Sequence, residues 1–146
     1  MFQNKMLLLA AALILSPLSI SAQPVDLSTL SGSWHLRVMD GNEVRKARAI
    51  LDFDAEKMLL SGFDGCNRIT GTLKKDVNNT LSAMLASTRM ACRQNIHRYV
   101  SKHLHETVKE GFSIKEDKKY GVEGITLKSA HHELFFKRME KDSKWF

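Results

Sequence analysis

The chain has 146 residues, 43% of them apolar and 26% charged, with a formal net charge of +6. That length supports one hydrophobic core rather than two, and the apolar share excludes disorder over most of the chain. The basic surplus is interleaved with acids, as in Lys115-Glu116-Asp117-Lys118-Lys119, so no nucleic-acid partner is expected.

The first predicted element is a leader. Lys5 is followed by the apolar run Met6 to Leu15, a break at Ser16-Pro17, and the small residues Ser19-Ile20-Ser21-Ala22. This order is that of a secretory signal peptide over residues 1–22, with cleavage after Ser21 or after Ala22. Its apolar core falls well short of the roughly 20 residues that cross a bilayer as a helix. No stable membrane insertion is therefore expected after cleavage. No cysteine lies beside either cut, which predicts a soluble periplasmic protein and not a lipoprotein. Loss of Lys5 takes the formal charge from +6 to +5.

Beyond the leader, apolar residues alternate with a period of two. Trp34, Leu36 and Val38 share one face of a strand, and Asp40-Gly41-Asn42 is a turn signal. Ala49, Leu51 and Phe53 make the next one-sided run, and Lys57 to Gly62 a third strand. After the Gly65-Cys66-Asn67 corner, Ile69, Gly71 and Leu73 alternate. A turn over Asp76 to Asn79 leads to Leu81, Ala83 and Leu85. From Gln94 to Glu110 the period changes. Ile96, Tyr99, Val100, His103, Leu104, Thr107 and Val108 recur at three- and four-residue steps, the stripe of a helix. Asn95 is its expected N-cap and Gly111 its stop. Short strands resume at Phe112 and Ile114, over Val122 to Leu127, and over Leu134 to Phe136, followed by a charged tail over 140–146. The expected fold is mainly β: an antiparallel sheet, curled or closed, with the helix covering an opening. No repeat or linker divides it.

Two segments, MLLSGFDGCNRITG (Met58 to Gly71) and LASTRMAC (Leu85 to Cys92), join a Leu-x-Gly-x-Trp opening at Leu30, Gly32 and Trp34. Together they resemble the META domain and, within it, the HslJ-type heat-shock proteins, over about residues 28–139. The motif positions are Gly32, Trp34, Gly62, Gly65, Asn67, Gly71, Thr88 and Met90. The resemblance implies a cracked, lipocalin-like β-barrel with a helix packed across it. It also implies an envelope location and an association with stress tolerance, including resistance to novobiocin. It brings no catalytic residue, cofactor or agreed ligand. Many HslJ-type members carry a lipid-attachment cysteine after the leader; this chain does not, so tethering is not carried over.

Cys66 and Cys92 are the only cysteines. In an oxidising compartment they form either a disulfide or two buried thiols, and no Cys-x-x-Cys spacing supports a redox role. Gly62, Gly65 and Gly71 fit neither nucleotide-binding pattern and are expected at a tight bend or bulge of a barrel corner, with Asn67 either satisfying backbone groups there or taking a left-handed conformation. Thr88, Arg89 and Met90 either present a recognition surface or place Met90 in the core. Six histidines show no ligand spacing: His103 and His105, for example, point about 160 degrees apart on a helix. No metal and no cofactor are expected. No nucleophile elbow is present either. The expected function is non-enzymatic, a monomer binding an envelope protein or cell-wall component. The alternative is a carrier of a small apolar ligand or lipid, lined by Phe53, Leu104, Phe112, Phe135 and Phe136.

Overall fold

The computed structural model describes residues 26–140; the expected leader and residues 141–146 of the tail lie outside them. A short helix, α1 (Leu27–Leu30), precedes the long strand β1 (Gly32–Met39) and its short partner β2 (Asn42–Glu43). After a 3-10 turn at Arg45–Ala47 come β3 (Ile50–Asp54), β4 (Leu59–Phe63) and β5 (Arg68–Thr72). The two-residue strands β6 (Lys74–Lys75), β7 (Leu81–Ser82) and β8 (Ala86–Ser87) lead to α2 (Asn95–Glu110). The strands β9 (Ser113–Lys119), β10 (Val122–Lys128) and β11 (Glu133–Arg138) follow.

Local chemistry sets the reversals. Asp40-Gly41 joins β1 to β2 and Tyr120-Gly121 joins β9 to β10, all four residues with positive φ. Two-residue loops of that kind match the right-handed twist of the strands they connect, which is why an Asp-Gly pair marks a hairpin. Within β1 the alternation is interrupted. The register against β11 shifts between Leu36 and Val38, so Met39 turns into the core and Val38 is only partly buried. This corrects the expected Trp34–Leu36–Val38 face, and its cause is a bulge.

Nine strands form one antiparallel sheet in the order β8-β5-β4-β3-β1-β11-β10-β9, with β2 beside β1. The two ends do not pair along their length, so the barrel is cracked. The β6–β7 ribbon spans the gap: β6 continues from β5, and Leu81 and Phe112 exchange both backbone hydrogen bonds at 2.8 Å just before β9. The bridge ends there: beyond it, among the described residues, β9 pairs only with β10, and its outer edge faces the crack.

The interior is one apolar cluster drawn from β1, β3, β4, β5, β10 and β11, including Trp34, Leu36, Leu51, Phe53, Leu60, Leu127, Leu134 and Phe136, with Phe112 from the turn before β9. Helix α2 closes it with Val100, Leu104, Thr107 and Val108. Ile96 packs at the margin of the cluster. Tyr99 and His103 stay on the helix flank, ring against ring at 4.4 Å. The N-cap is Gln94 rather than Asn95, and no side chain caps the helix there. Gly111 ends it, with φ +102 and its N–H on the Thr107 carbonyl.

Candidate functional site

The glycine-rich corner after β4 is built by close approach. Gly62 (φ +151) lies so near β3 that a Cβ there would stand 2.0 Å from the Ile50 carbonyl oxygen, a place for glycine alone. At Gly71 a Cβ would meet the Met84 carbonyl oxygen at 2.6 Å. Gly65 (φ +102) turns the chain towards α2, where His97 Nδ1 donates to its carbonyl at 2.9 Å. Between these glycines sits Asp64, fully buried at 0% exposure. Its Oδ1 accepts the backbone N–H of Cys66 (2.8 Å) and Asn67 (2.7 Å), and its Oδ2 accepts Ser101 Oγ (2.9 Å) and His105 Nε2 (2.6 Å). Burial by itself would raise this carboxyl; the donors, His105 first, outweigh it and hold the group below the ordinary carboxylate range.

Asn67 extends the network. Its Oδ1 accepts the Met90 backbone N–H and the Thr88 hydroxyl, and Thr88 Oγ in turn accepts the Arg68 N–H at 3.1 Å. The structure links Cys66 to Cys92 with their Cα atoms 4.7 Å apart. Met90 has 61% of its surface exposed, so of the two readings offered for it, filling the core is the one that fails. The corner is thus held by a connected set of hydrogen bonds in which the Asp64 carboxylate and the Asn67 side-chain oxygen are the acceptors.

A second concentration of polar groups lies at the far end of β1. Trp34 Nε1 donates to the Leu30 carbonyl at 2.8 Å, and the Arg138 guanidinium lies 4.2 Å over the Trp34 ring. Arg138 also donates to the carbonyls of Ser31 and Thr29. Gly32 gives it room: a Cβ there would meet Arg138 Nη1 at 3.0 Å. Beside this knot opens a cleft of about 620 Å³, lined by Leu30, Trp34, Glu116, Lys118, Glu123 and Arg138 among others. In the ladder Trp34 faces Arg138, Ile125 faces Glu116, and Glu123 faces Lys118. The face that is apolar deep in the barrel therefore becomes charged where the strands project past it.

A third group joins three distant segments at the opposite end of β1. His132, only 8% exposed at its side chain, lies between two carboxylates: Nδ1 is 2.7 Å from Asp40 Oδ2 and Nε2 is 2.8 Å from Glu106 Oε2. His103 Nδ1 stands 3.0 Å from the same Glu106 oxygen. Burial disfavours the His132 cation, but the bonds to Asp40 and Glu106 outweigh it and raise its pKa. The bonds from His132 and His103 lower that of Glu106.

Residues 26–141 match the family model of the META domain. The chain belongs to the META domain family. Two solved structures share the fold. One, an NMR structure of a protein, is 28% identical, covers 78% of this chain and 95% of its own, and superposes with a TM-score of 0.63. The other, an NMR structure of a protein from Burkholderia xenovorans, is 22% identical over 81% of this chain and 91% of its own, with a TM-score of 0.57. No curated protein matches.

In this META domain the motif residues divide into two groups. Gly62, Gly65, Asn67, Thr88 and Met90 meet at the corner, with the Cys66–Cys92 link; Gly71 belongs to the same β4–β5 hairpin but lies further along it, opposite Leu60 and against Met84, and not at the corner expected for it. Gly32 and Trp34 stand apart, beside the cleft. Asp64, inside the motif segment, carries more hydrogen bonds than any of these, and sequence reasoning passed over it. The signal available was an acid between two glycines in an otherwise apolar stretch. The approach of His103 to His132 left no such signal, because Glu106 and His132 are 26 residues apart and ligand-spacing rules see only local pairs.

Proposed function

We propose that this META domain is an exported, non-enzymatic protein of the cell envelope, stress-associated, that binds an envelope protein or cell-wall component through the cleft beside Trp34. The cleft is the observation that carries the reading. It sets an aromatic ring and an Arg138 guanidinium among Glu116, Lys118 and Glu123, a composition suited to a polar chain rather than to a hydrocarbon. The filled interior supports surface binding over carriage. Phe53, Leu104, Phe112 and Phe136 pack into one core cluster, while Phe135 lies on the other face of the sheet, its ring 3.0 Å from where a Gly124 Cβ would stand. The described residues include no helix long and apolar enough to cross a membrane.

The test is affinity capture from envelope extracts with the protein and with a Glu116→Lys/Glu123→Lys variant. A partner retained by the first and lost by the second supports the reading. Equal retention by both removes the cleft from it, and a co-purifying lipid with no polymer partner favours the carrier.

A further inference from the structure

We propose that His103, Glu106 and His132 form a binding site for one divalent transition-metal ion of the zinc class, with Asp40 as the group that orients His132. The site is separate from the cleft and does not depend on what the cleft binds.

The ligand atoms of the three residues all lie within 4.8 Å of one another. Glu106 Oε2 is already 2.8 Å from one imidazole nitrogen and 3.0 Å from the other. Ligands on a tetrahedral zinc with bonds of about 2.0–2.1 Å stand roughly 3.3 Å apart, so small side-chain rotations would seat the ion between them. His103 and Glu106 are spaced i,i+3 on α2 and therefore project from one helix face, one turn apart. Such a pair needs a third donor from outside the helix, and the β10–β11 connection supplies His132. Imidazole nitrogen with carboxylate oxygen is a donor set for zinc, copper or nickel, and not for calcium or magnesium, which take oxygen shells.

The outer partners match what a metal-bound histidine requires. A ligating imidazole donates its second N–H to a carboxylate, which fixes its tautomer and direction; here His132 Nδ1 faces Asp40 Oδ2 at 2.7 Å. Asp40 is itself held, its Oδ1 accepting the Glu133 N–H at 2.8 Å from within the Asp40-Gly41 turn. The backbone of His132 is fixed by its N–H on Ser129 Oγ and its carbonyl under the Ser129 N–H. A surface ion pair needs none of this support. Charge agrees as well: with both imidazoles neutral, a divalent cation cancels the charges of Asp40 and Glu106. On binding, the proton on His132 Nε2 leaves to solvent, that on His103 Nδ1 leaves or passes to its own Nε2, and the ion takes the place of both. Glu106 is 39% exposed at its side chain, which leaves the ion a path in and a position for water.

Zn2+ titrated by calorimetry into the purified protein, carrying no polyhistidine tag, tests the site. One ion per chain is expected, with a Kd of about 10 μM or tighter, while Mg2+ and Ca2+ give no saturable heat. His103→Gln and His132→Gln each weaken Zn2+ at least tenfold, and Asp40→Asn weakens it roughly tenfold through orientation alone. His131→Gln, at an exposed histidine paired with Glu110, changes nothing. Should a variant unfold, the imidazole NMR resonances of the unaltered protein decide the matter, since Zn2+ must shift those of His103 and His132 and spare His131. Absence of saturable binding, or binding that survives both His103→Gln and His132→Gln, or shifts confined to other histidines, would overturn the site.

Discussion

Replacing Asp64 tests whether the corner is held by its buried carboxylate. Asp64→Ala leaves four donors without an acceptor: two backbone N–H groups, one hydroxyl and one imidazole N–H. Hydrogen bonds to a charged group contribute about 1.5–3 kcal/mol each, and a buried donor stripped of its partner loses its desolvation cost outright. Ser101 and His105 are only half-buried and regain water, so the two backbone donors dominate. The expected loss is about 3–5 kcal/mol, comparable to breaking a buried ion pair. Over the described residues, an unfolding entropy near 2.1 cal/mol/K per residue makes that a Tm drop of roughly 12–20 °C. Urea unfolding of the oxidised protein measures it, and a loss under about 1 kcal/mol would refute the reasoning. The pH dependence supplies a second arm. The folded-state pKa of Asp64 is depressed, so its contribution is fully present above the unfolded value of about 3.9 and is lost as pH falls through the lower folded value. The isosteric Asp64→Asn should therefore show a shallower acid limb between about pH 5 and 2 than the parent. Glu106 and Glu133 are depressed too, so a residual limb is expected. Identical limbs in both proteins would show that the carboxylate is not what the corner leans on.

Two further predictions concern the same region. Cys66 and Cys92 are separated by 26 positions, and opening a loop of that length through Cys66→Ala/Cys92→Ala should cost about 3.5 kcal/mol in urea unfolding. Free-thiol titration of the denatured, unreduced protein should find none, and two reactive thiols would end the argument. Gly62→Ala should cost at least about 3 kcal/mol, because its Cβ meets backbone oxygen at 2.0 Å. Gly41→Ala, with positive φ but open space around it, should cost only about 1–2 kcal/mol. Equal losses at the two glycines would show that left-handed strain and not close approach governs both.

What could be read beforehand follows the range of the cause. The stripe from Val100 to Val108 announced α2, and the alternations at Ala49–Leu51–Phe53 and Ile69–Leu73 announced β3 and β5, because each side chain reports its own burial. β9 was visible only at its start. Ser113 to Lys119 is charged on both faces, and it is a strand because β10 pairs with it, not because of its own pattern. The expected strand at Lys57 begins instead at Leu59, since Met58 takes a left-handed turn (φ +50). The bulge in β1 was invisible for the same reason as β9: it is a property of the register with β11. At the candidate sites, the glycines and Asn67 were legible through their motif. Asp64 acquires its partners from α2, 37 and 41 residues later, and His132 meets Asp40 across 92 residues. Chemistry assembled over such separations leaves no local trace.

The way α2 is fastened restricts how the barrel can open. At its start stand the Cys92 bridge and the His97 bond to Gly65; in the middle, Ser101 and His105 reach Asp64; towards its end, Val108 accepts the Ala83 N–H, Glu106 meets His132, and Glu110 meets His131. A rod latched at so many points has no free end about which to hinge, and cannot swing aside like a door.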